Sequence, residues 1–372
     1  MQSEIEIKTE RLVNMLAAEN LGGVLINAQH NFAWATGGKS NRINASIENG
    51  ACFLLFRRDG KRFVLANNIE MPRILSEEVS EADFEPVEFS WEDEKSAGDF
   101  VVKKALALLE NNSNLASDLY FTNDVRPVEN LIARCRFELT SAEIERYRKL
   151  GKDAGAAIGN LFGAIEPGET ETEIARKAKD ALEACGISSV VTLVGADERI
   201  AKYRHPAPTL NVWKKVLLVA VCAKREGLIA SLSRIACVGE IPAELERRTA
   251  ATAFVFARLA AATRAGASGA ELYCIASEAY AEKDFAGEIN RHHQGGAAGY
   301  KSRDWVAHPK NGEIVLQNQA FAWNPTVAGA KTEETFITSG DTIEIITASP
   351  NFPQISIETD GRAIISPGVL SL

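Results

Sequence analysis

The chain has 372 residues, 46% of them hydrophobic and 24% charged, with a net charge of −9 at pH 7. This is an ordinary soluble composition for about two domains, with a core large enough to need neither disulfides nor a structural metal. The acidic balance excludes a general nucleic-acid binder, and no apolar run approaches the roughly 18 residues of a membrane span.

The opening MQSEIEIKTERL has no apolar core of a secretory signal, so a cytoplasmic protein is expected. The 6 cysteines are scattered, form no CxxC, and mostly sit in apolar runs such as AVCAK and RIACVG. Free, buried thiols in a reducing compartment fit that pattern. Only 5 histidines occur, so imidazole chemistry has few places to be.

Residues 1–138 alternate helix and strand signals. Leu12, Met15, Leu16 and Leu21 mark an amphipathic helix ending near Gly22. GVLINA reads as a strand, ACFLLFRR and KRFVLAN as a hairpin, and residues 98–112 as a second helix. An α/β domain is expected here.

From residue 140 the pattern changes. Thr140-Ser-Ala-Glu143 is a capping box, followed by Ile144, Tyr147, Leu150, Ala154, Ile158 and Leu161 at helical spacing. Thr170-Glu-Thr-Glu173 opens a helix running to Gly186. SVVTLVG, KVLLVAVCA and GLIASLSRIACVG read as strands, the last two as a hairpin. A long Ala-rich helix from Glu244 to Arg264 follows. Ser268-Gly-Ala-Glu271 then opens another helix, and QAFAWN, ETFIT and DTIEIIT read as strands. Residues 140–239 and 240–348 thus share one plan, and the cleft between two such halves is a natural ligand site.

These segments resemble the creatinase, prolidase and aminopeptidase P family across nearly the whole chain. The carriers are ERLVNMLAAENLGG near the start, SAEIERYRKLGKDAG…IEPGETETEIA, HPAPT at 205–209, HHQGGAAGY at 292–300, and AFAWNPTVAG with KTEET. The resemblance implies an α+β protein: a creatinase-type α/β domain over 1–138 and a pita-bread domain over 139–372. It also implies a homodimer.

Peptidases of that family bind two metal ions through two Asp, one His and two Glu. Carried over position by position, the resemblance places Ala220 and Ser231 at the Asp positions, His293 at the His, and Asn324 and Glu333 at the Glu positions. Two neighbouring divalent ions need several anionic oxygens, which this set lacks. No dinuclear metal site and no cofactor are therefore expected. Creatinase, which works without metals, uses the His that matches His205 and a Glu that matches Glu333. Its second Glu falls on Ser233.

The resulting expectation is a metal-independent, creatinase-like hydrolase acting on a C–N bond of a small molecule or short peptide. His205 serves as general acid/base, since an imidazole titrates near neutrality. Glu333 orients substrate or water. Neighbouring residues of a strand face opposite ways, so of Glu333 and Glu334 only one enters the cleft. A carboxylate there needs a partner, such as His293, Arg303 or a substrate cation. His293, Tyr300, Arg303, Trp323, Asn324, Ser231 and Ser233 are expected to bind substrate. Glycines 295, 296 and 299 are expected to let backbone approach a ligand closely. His292 is left to a tight turn and His308 to no role. The rival readings are an Xaa-Pro peptidase with an altered metal site and a catalytically inactive member of the fold.

Overall fold

A computed structural model describes residues 2–109 and 114–372. The chain forms two compact units, Met1–Phe137 and Glu138–Leu372.

In the first unit, Ser3 and Glu6 form a capping box that starts α1 (Glu4–Ala18), whose Leu12 and Leu16 are buried. β1 (Gly23–Ala28) and α2 (Gln29–Ala35) follow, then the hairpin of β2 (Asn49–Arg57) and β3 (Arg62–Asn67). The short turn α3 (Met71–Arg73) leads to β4 (Glu85–Phe89), α4 (Trp91–Ser96) and α5 (Phe100–Ala107). Residues 110–112 of the helix expected over 98–112 lie outside the described residues. β5 (Leu115–Ser117), β6 (Arg126–Pro127) and α6 (Glu129–Arg136) complete the unit. Its sheet runs β4-β3-β2-β1-β5-β6 and mixes parallel with antiparallel pairs.

The second unit is built from two helix-pair-plus-sheet halves. In the first half, α7 (Ser141–Leu161) and α8 (Glu171–Glu183) both start at the expected capping boxes. β7 (Ser188–Ala196), the short α9 (Glu198–Lys202), β8 (Val216–Arg225) and β9 (Leu228–Cys237) follow. β8 and β9 are antiparallel, with Arg225 opposite Leu228. Glu226 and Gly227 both have positive φ between them, the backbone of a tight two-residue hairpin turn.

The second half repeats the order. α10 (Ala243–Ala262) precedes α11 (Gly269–Glu282), which starts at the Ser268–Glu271 box. β10 (Gly295–Ala298), β11 (Trp305–Val306), β12 (Ala320–Trp323), β13 (Thr326–Val327), β14 (Ala330–Lys331), β15 (Glu334–Ser339) and β16 (Thr342–Ile345) follow. One sheet of this half runs β11-β10-β12-β15-β16. The parallel between the halves extends to detail. The capping residues Thr170 and Ser268 each make an isolated antiparallel bridge, to Val212 and Ile314 respectively.

The chain continues past the second half into a hairpin, β17 (Gln354–Thr359) and β18 (Arg362–Pro367), packed beside α10. β19 (Val369–Ser371) then joins the outer edge of β9 in parallel, extending that sheet to β19-β9-β8-β7 and covering an edge that would otherwise be open.

α7 packs closely on the segment that follows β16. A Cβ at Gly151 would lie 2.5 Å from the Ile346 carbonyl oxygen, and one at Gly155 2.5 Å from that of Thr347. The two glycines, one helical turn apart, let the helix lie directly on the backbone that follows β16.

Candidate active site

A cavity of about 160 Å³ opens in the second unit, lined from both of its halves. Register explains who lines it. Ala220 and Cys222 of β8 pair with Ser233 and Ser231 of β9, so these four side chains share one face. Leu193 of β7 pairs with Ala220 and Val191 with Cys222, and both side chains line the cavity with Ala220 and Cys222. The second half contributes His293, Arg303, Asn324, Lys331 and Glu333.

His205 arrives on the HPAPT loop, which is tied down at both ends. The Val194 N–H donates to the Pro206 carbonyl at 3.1 Å. Buried Glu171 accepts the Thr209 N–H at 3.0 Å, the Thr209 hydroxyl at 2.7 Å and the Ala196 N–H at 2.9 Å. Arg204, next to His205, forms an ion pair with Glu288, in the turn that leads to His292 and His293. The fixed loop therefore brings His205 to the adjacent histidines. Its Nε2 lies 3.1 Å from Nε2 of His292, and the rings of His292 and His293 stack at 4.4 Å.

Glu333 is almost fully buried, at 4% exposure. Arg303 donates to its Oε1 at 3.0 Å, and the Lys331 ammonium lies 3.5 Å from its Oε2. Burial alone would raise this carboxyl. Lys331 and Arg303 outweigh that and hold it below the ordinary carboxylate value. Glu334 turns to the opposite side, 2.9 Å from buried Arg234. Arg234 also donates to the Thr347 and Ser233 carbonyls, each at 2.7 Å, and to the Ser349 hydroxyl at 2.9 Å. A second cavity of about 350 Å³ on that side is lined by this Arg234–Glu334 pair, whose charges are engaged within the fold.

The imidazoles are all pushed toward the neutral form. Burial and the nearby Lys331 lower His205. Burial, then Arg303 and Lys331, lowers His293 to about 4. His292 is driven down furthest, chiefly by burial. Burial and Glu333 raise the Cys222 thiol, so it is not a ready thiolate.

Of the residues read from the sequence, His205, His293, Arg303, Asn324 and Glu333 meet at the cavity. Tyr300, Trp323, Ser231 and Ser233 do not line it. Tyr300 is buried, and its hydroxyl donates to Glu143 of the α7 capping box at 2.8 Å. Trp323 belongs to the core, and its indole N–H donates to the Thr263 hydroxyl at 3.0 Å. Ser231 sits behind Arg303, which donates to its hydroxyl at 3.3 Å, and the same hydroxyl lies 3.3 Å from the Cys222 sulfur. Ser233 is buried at the strand junction, where its N–H donates to the Glu333 carbonyl at 3.1 Å.

The glycines after His293 serve the sheet rather than a ligand. A Cβ at Gly295 would lie 2.2 Å from the Ala322 carbonyl oxygen, and one at Gly296 2.0 Å from that of Trp305, so β10 fits between its neighbours only without side chains there. His292 lies in a bend, half-buried, and does not line the cavity; it reaches the site through its contact with His205. Lys331 was legible in principle: it stands two residues before Glu333, the spacing that puts side chains on one side of an extended segment.

The pair of divalent ions implied for family peptidases does not fit these residues. Ala220 offers no donor atom. The Ser231 hydroxyl is engaged by Arg303, and both carboxylate oxygens of Glu333 already face cations. A guanidinium and an ammonium provide the positive charge that metals would bring.

The fold is that of the pita-bread class. The model for the metallopeptidase family M24 matches residues 145–347, and the chain belongs to that family. No curated protein matches the chain by sequence. Among solved structures it is similar to an Xaa-Pro dipeptidase from Bacillus anthracis, with a TM-score of 0.77 and 17% identity over 98% of this chain and 99% of that one. A dipeptidase from Mycobacterium ulcerans superposes with a TM-score of 0.78 and 15% identity, covering 100% of both chains. An X-Pro aminopeptidase from Thermotoga maritima gives 0.75 and 18% identity, over 98% of this chain and 99% of that one. Among the described residues, no helix is long and apolar enough to cross a membrane.

Proposed function

We propose that the protein is a hydrolase of the M24 fold that cleaves a C–N bond of a small molecule without the dinuclear metal centre of the family's peptidases. The observation that carries this is the Arg303–Glu333–Lys331 cluster beside His205 and His293 in one cavity. The cluster keeps Glu333 ionised and fixed, able to orient a substrate N–H or a water molecule. His205, exposed and neutral near pH 7, takes a proton from water and returns it to the leaving nitrogen. The buried carbonyl oxygen of the Asn324 side chain, without a hydrogen-bond partner among the described residues, offers an acceptor to a substrate N–H.

Size and charge narrow the substrate. A volume of about 160 Å³ is below the roughly 300–1,000 Å³ of drug-sized pockets. Two cations and one carboxylate line it, so the cavity has surplus positive charge and favours a substrate carrying an anionic group. Free thiols at Cys52, Cys135, Cys185, Cys222, Cys237 and Cys274 support a cytoplasmic location. A homodimer rests on the family resemblance alone.

The test is His205→Ala. The reading expects turnover to vanish while the circular dichroism spectrum stays unchanged. Activity surviving that change removes His205 from the mechanism.

A further inference from the structure

We infer that His205, His292 and His293 form a binding site for one zinc ion, separate from the family's dinuclear arrangement. One ring nitrogen from each of the three lies within 4.8 Å of the other two. The two Nε2 atoms of His205 and His292 are 3.1 Å apart. Tetrahedral zinc with bonds of about 2.0–2.1 Å to imidazole holds its ligand nitrogens roughly 3.3 Å apart. That pair already has the spacing of a tetrahedral edge, and His293 needs only a side-chain adjustment to complete a face. His205 and His293 are exposed and free to make it, while His292 is half-buried and sets the position.

The donor set selects the ion. Three neutral imidazoles suit zinc, copper and nickel and discriminate against magnesium and calcium, which want oxygen. Zinc is the occupant proposed, since it has no geometric preference of its own and accepts an arrangement fixed by the protein. Arg303 and Lys331 weaken the site and Glu333 offsets them, which places it below a structural zinc site in affinity. Of the three ligands only His293 stands at a position where the resemblance puts a metal ligand.

Ligation occupies the lone pair that His205 needs to accept a proton. If the proposed hydrolysis holds, zinc is therefore an inhibitor acting at that site; this consequence, but not the binding itself, rests on that reading.

The experiment titrates the full chain, first dialysed against a chelator, with zinc chloride by calorimetry and with cobalt chloride by visible absorbance. One ion per chain is expected, with the intense visible bands of tetrahedral cobalt. His292→Gln and His205→Gln should each weaken binding by at least about tenfold. His205→Gln alters an exposed loop side chain, so its folding, checked by circular dichroism, is secure. Absence of binding, octahedral cobalt, or binding unchanged in both variants would each overturn the site. None of these readouts requires turnover, so failure of the hydrolase reading and failure of this site are separable.

Discussion

Replacing Arg303 by methionine removes the guanidinium while keeping much of its bulk. In the native protein Arg303 lies 3.0 Å from a carboxylate that is only 4% exposed. Unit charges about 4 Å apart interact by about 4 kcal/mol at an effective dielectric of about 20, and removing one partner of a buried pair costs about 3–5 kcal/mol. Lys331 remains 3.5 Å from the other oxygen, so part of the compensation survives. The expected loss is about 2–3 kcal/mol at pH 7. The sign with pH follows from Glu333 being held below its ordinary value. Stability from such a group is present above the unfolded carboxyl value of about 4.3 and is lost as pH falls through the lower folded value. The gap between native and Arg303→Met protein should therefore be full at pH 7 and shrink below about pH 4. Urea unfolding followed by tryptophan fluorescence at both pH values measures it, and Glu333→Gln in the Arg303→Met background should recover part of the loss. A penalty under about 0.5 kcal/mol at pH 7, or one independent of pH, refutes the pairing argument.

Other outcomes are equally specific. Because His205 is lowered from its usual value, the acid limb of kcat/KM should lie below about pH 6.5, and a limb above that value assigns the base elsewhere. Tyr300→Phe deletes a hydrogen bond to Glu143 and should cost about 1 kcal/mol of stability with KM unchanged; a raised KM would return Tyr300 to the binding surface. Gly155→Ala places a methyl group against the Thr347 and Ala348 carbonyls, each 2.5 Å away, and should destabilise by about 1–3 kcal/mol in thermal melts. A neutral result there would mean that α7 is free to shift.

Much of the fold was legible because its signals are local. Thr140, Thr170 and Ser268 each bond the Glu three residues on, so the helix starts could be read from side-chain chemistry alone. The β8–β9 hairpin was legible from two apolar runs around a short polar turn. Gly151 and Gly155 carried no periodic signal, since their role is an approach to backbone nearly two hundred residues away. The β17–β18 hairpin also went unread: its outward faces are solvated, and only Ile355, Ile357, Ile364 and Ile365 mark it.

The site was legible to the extent that it keeps family positions. His205, His293 and Glu333 come from three distant segments that no spacing rule connects, and the resemblance supplied the connection. Tyr300 was read from the resemblance and Trp323 from its place beside Asn324, and aromatic rings suit a pocket wall and a core equally well. Their polar atoms reach Glu143 and Thr263 instead. His292 stacks on His293 for a geometric reason. Adjacent residues diverge on a strand, but residues 292 and 293 lie in a bend before β10, where both rings stack and face the same way.

The most direct measurement is turnover by chelator-treated protein, assayed on small carboxylate-bearing C–N compounds and on Xaa-Pro dipeptides, with and without added manganese or cobalt. Hydrolysis that persists in the metal-free protein and disappears in His205→Ala is the expected result. Hydrolysis that appears only when manganese or cobalt is restored would contradict a site whose Glu333 is neutralised by Arg303 and Lys331.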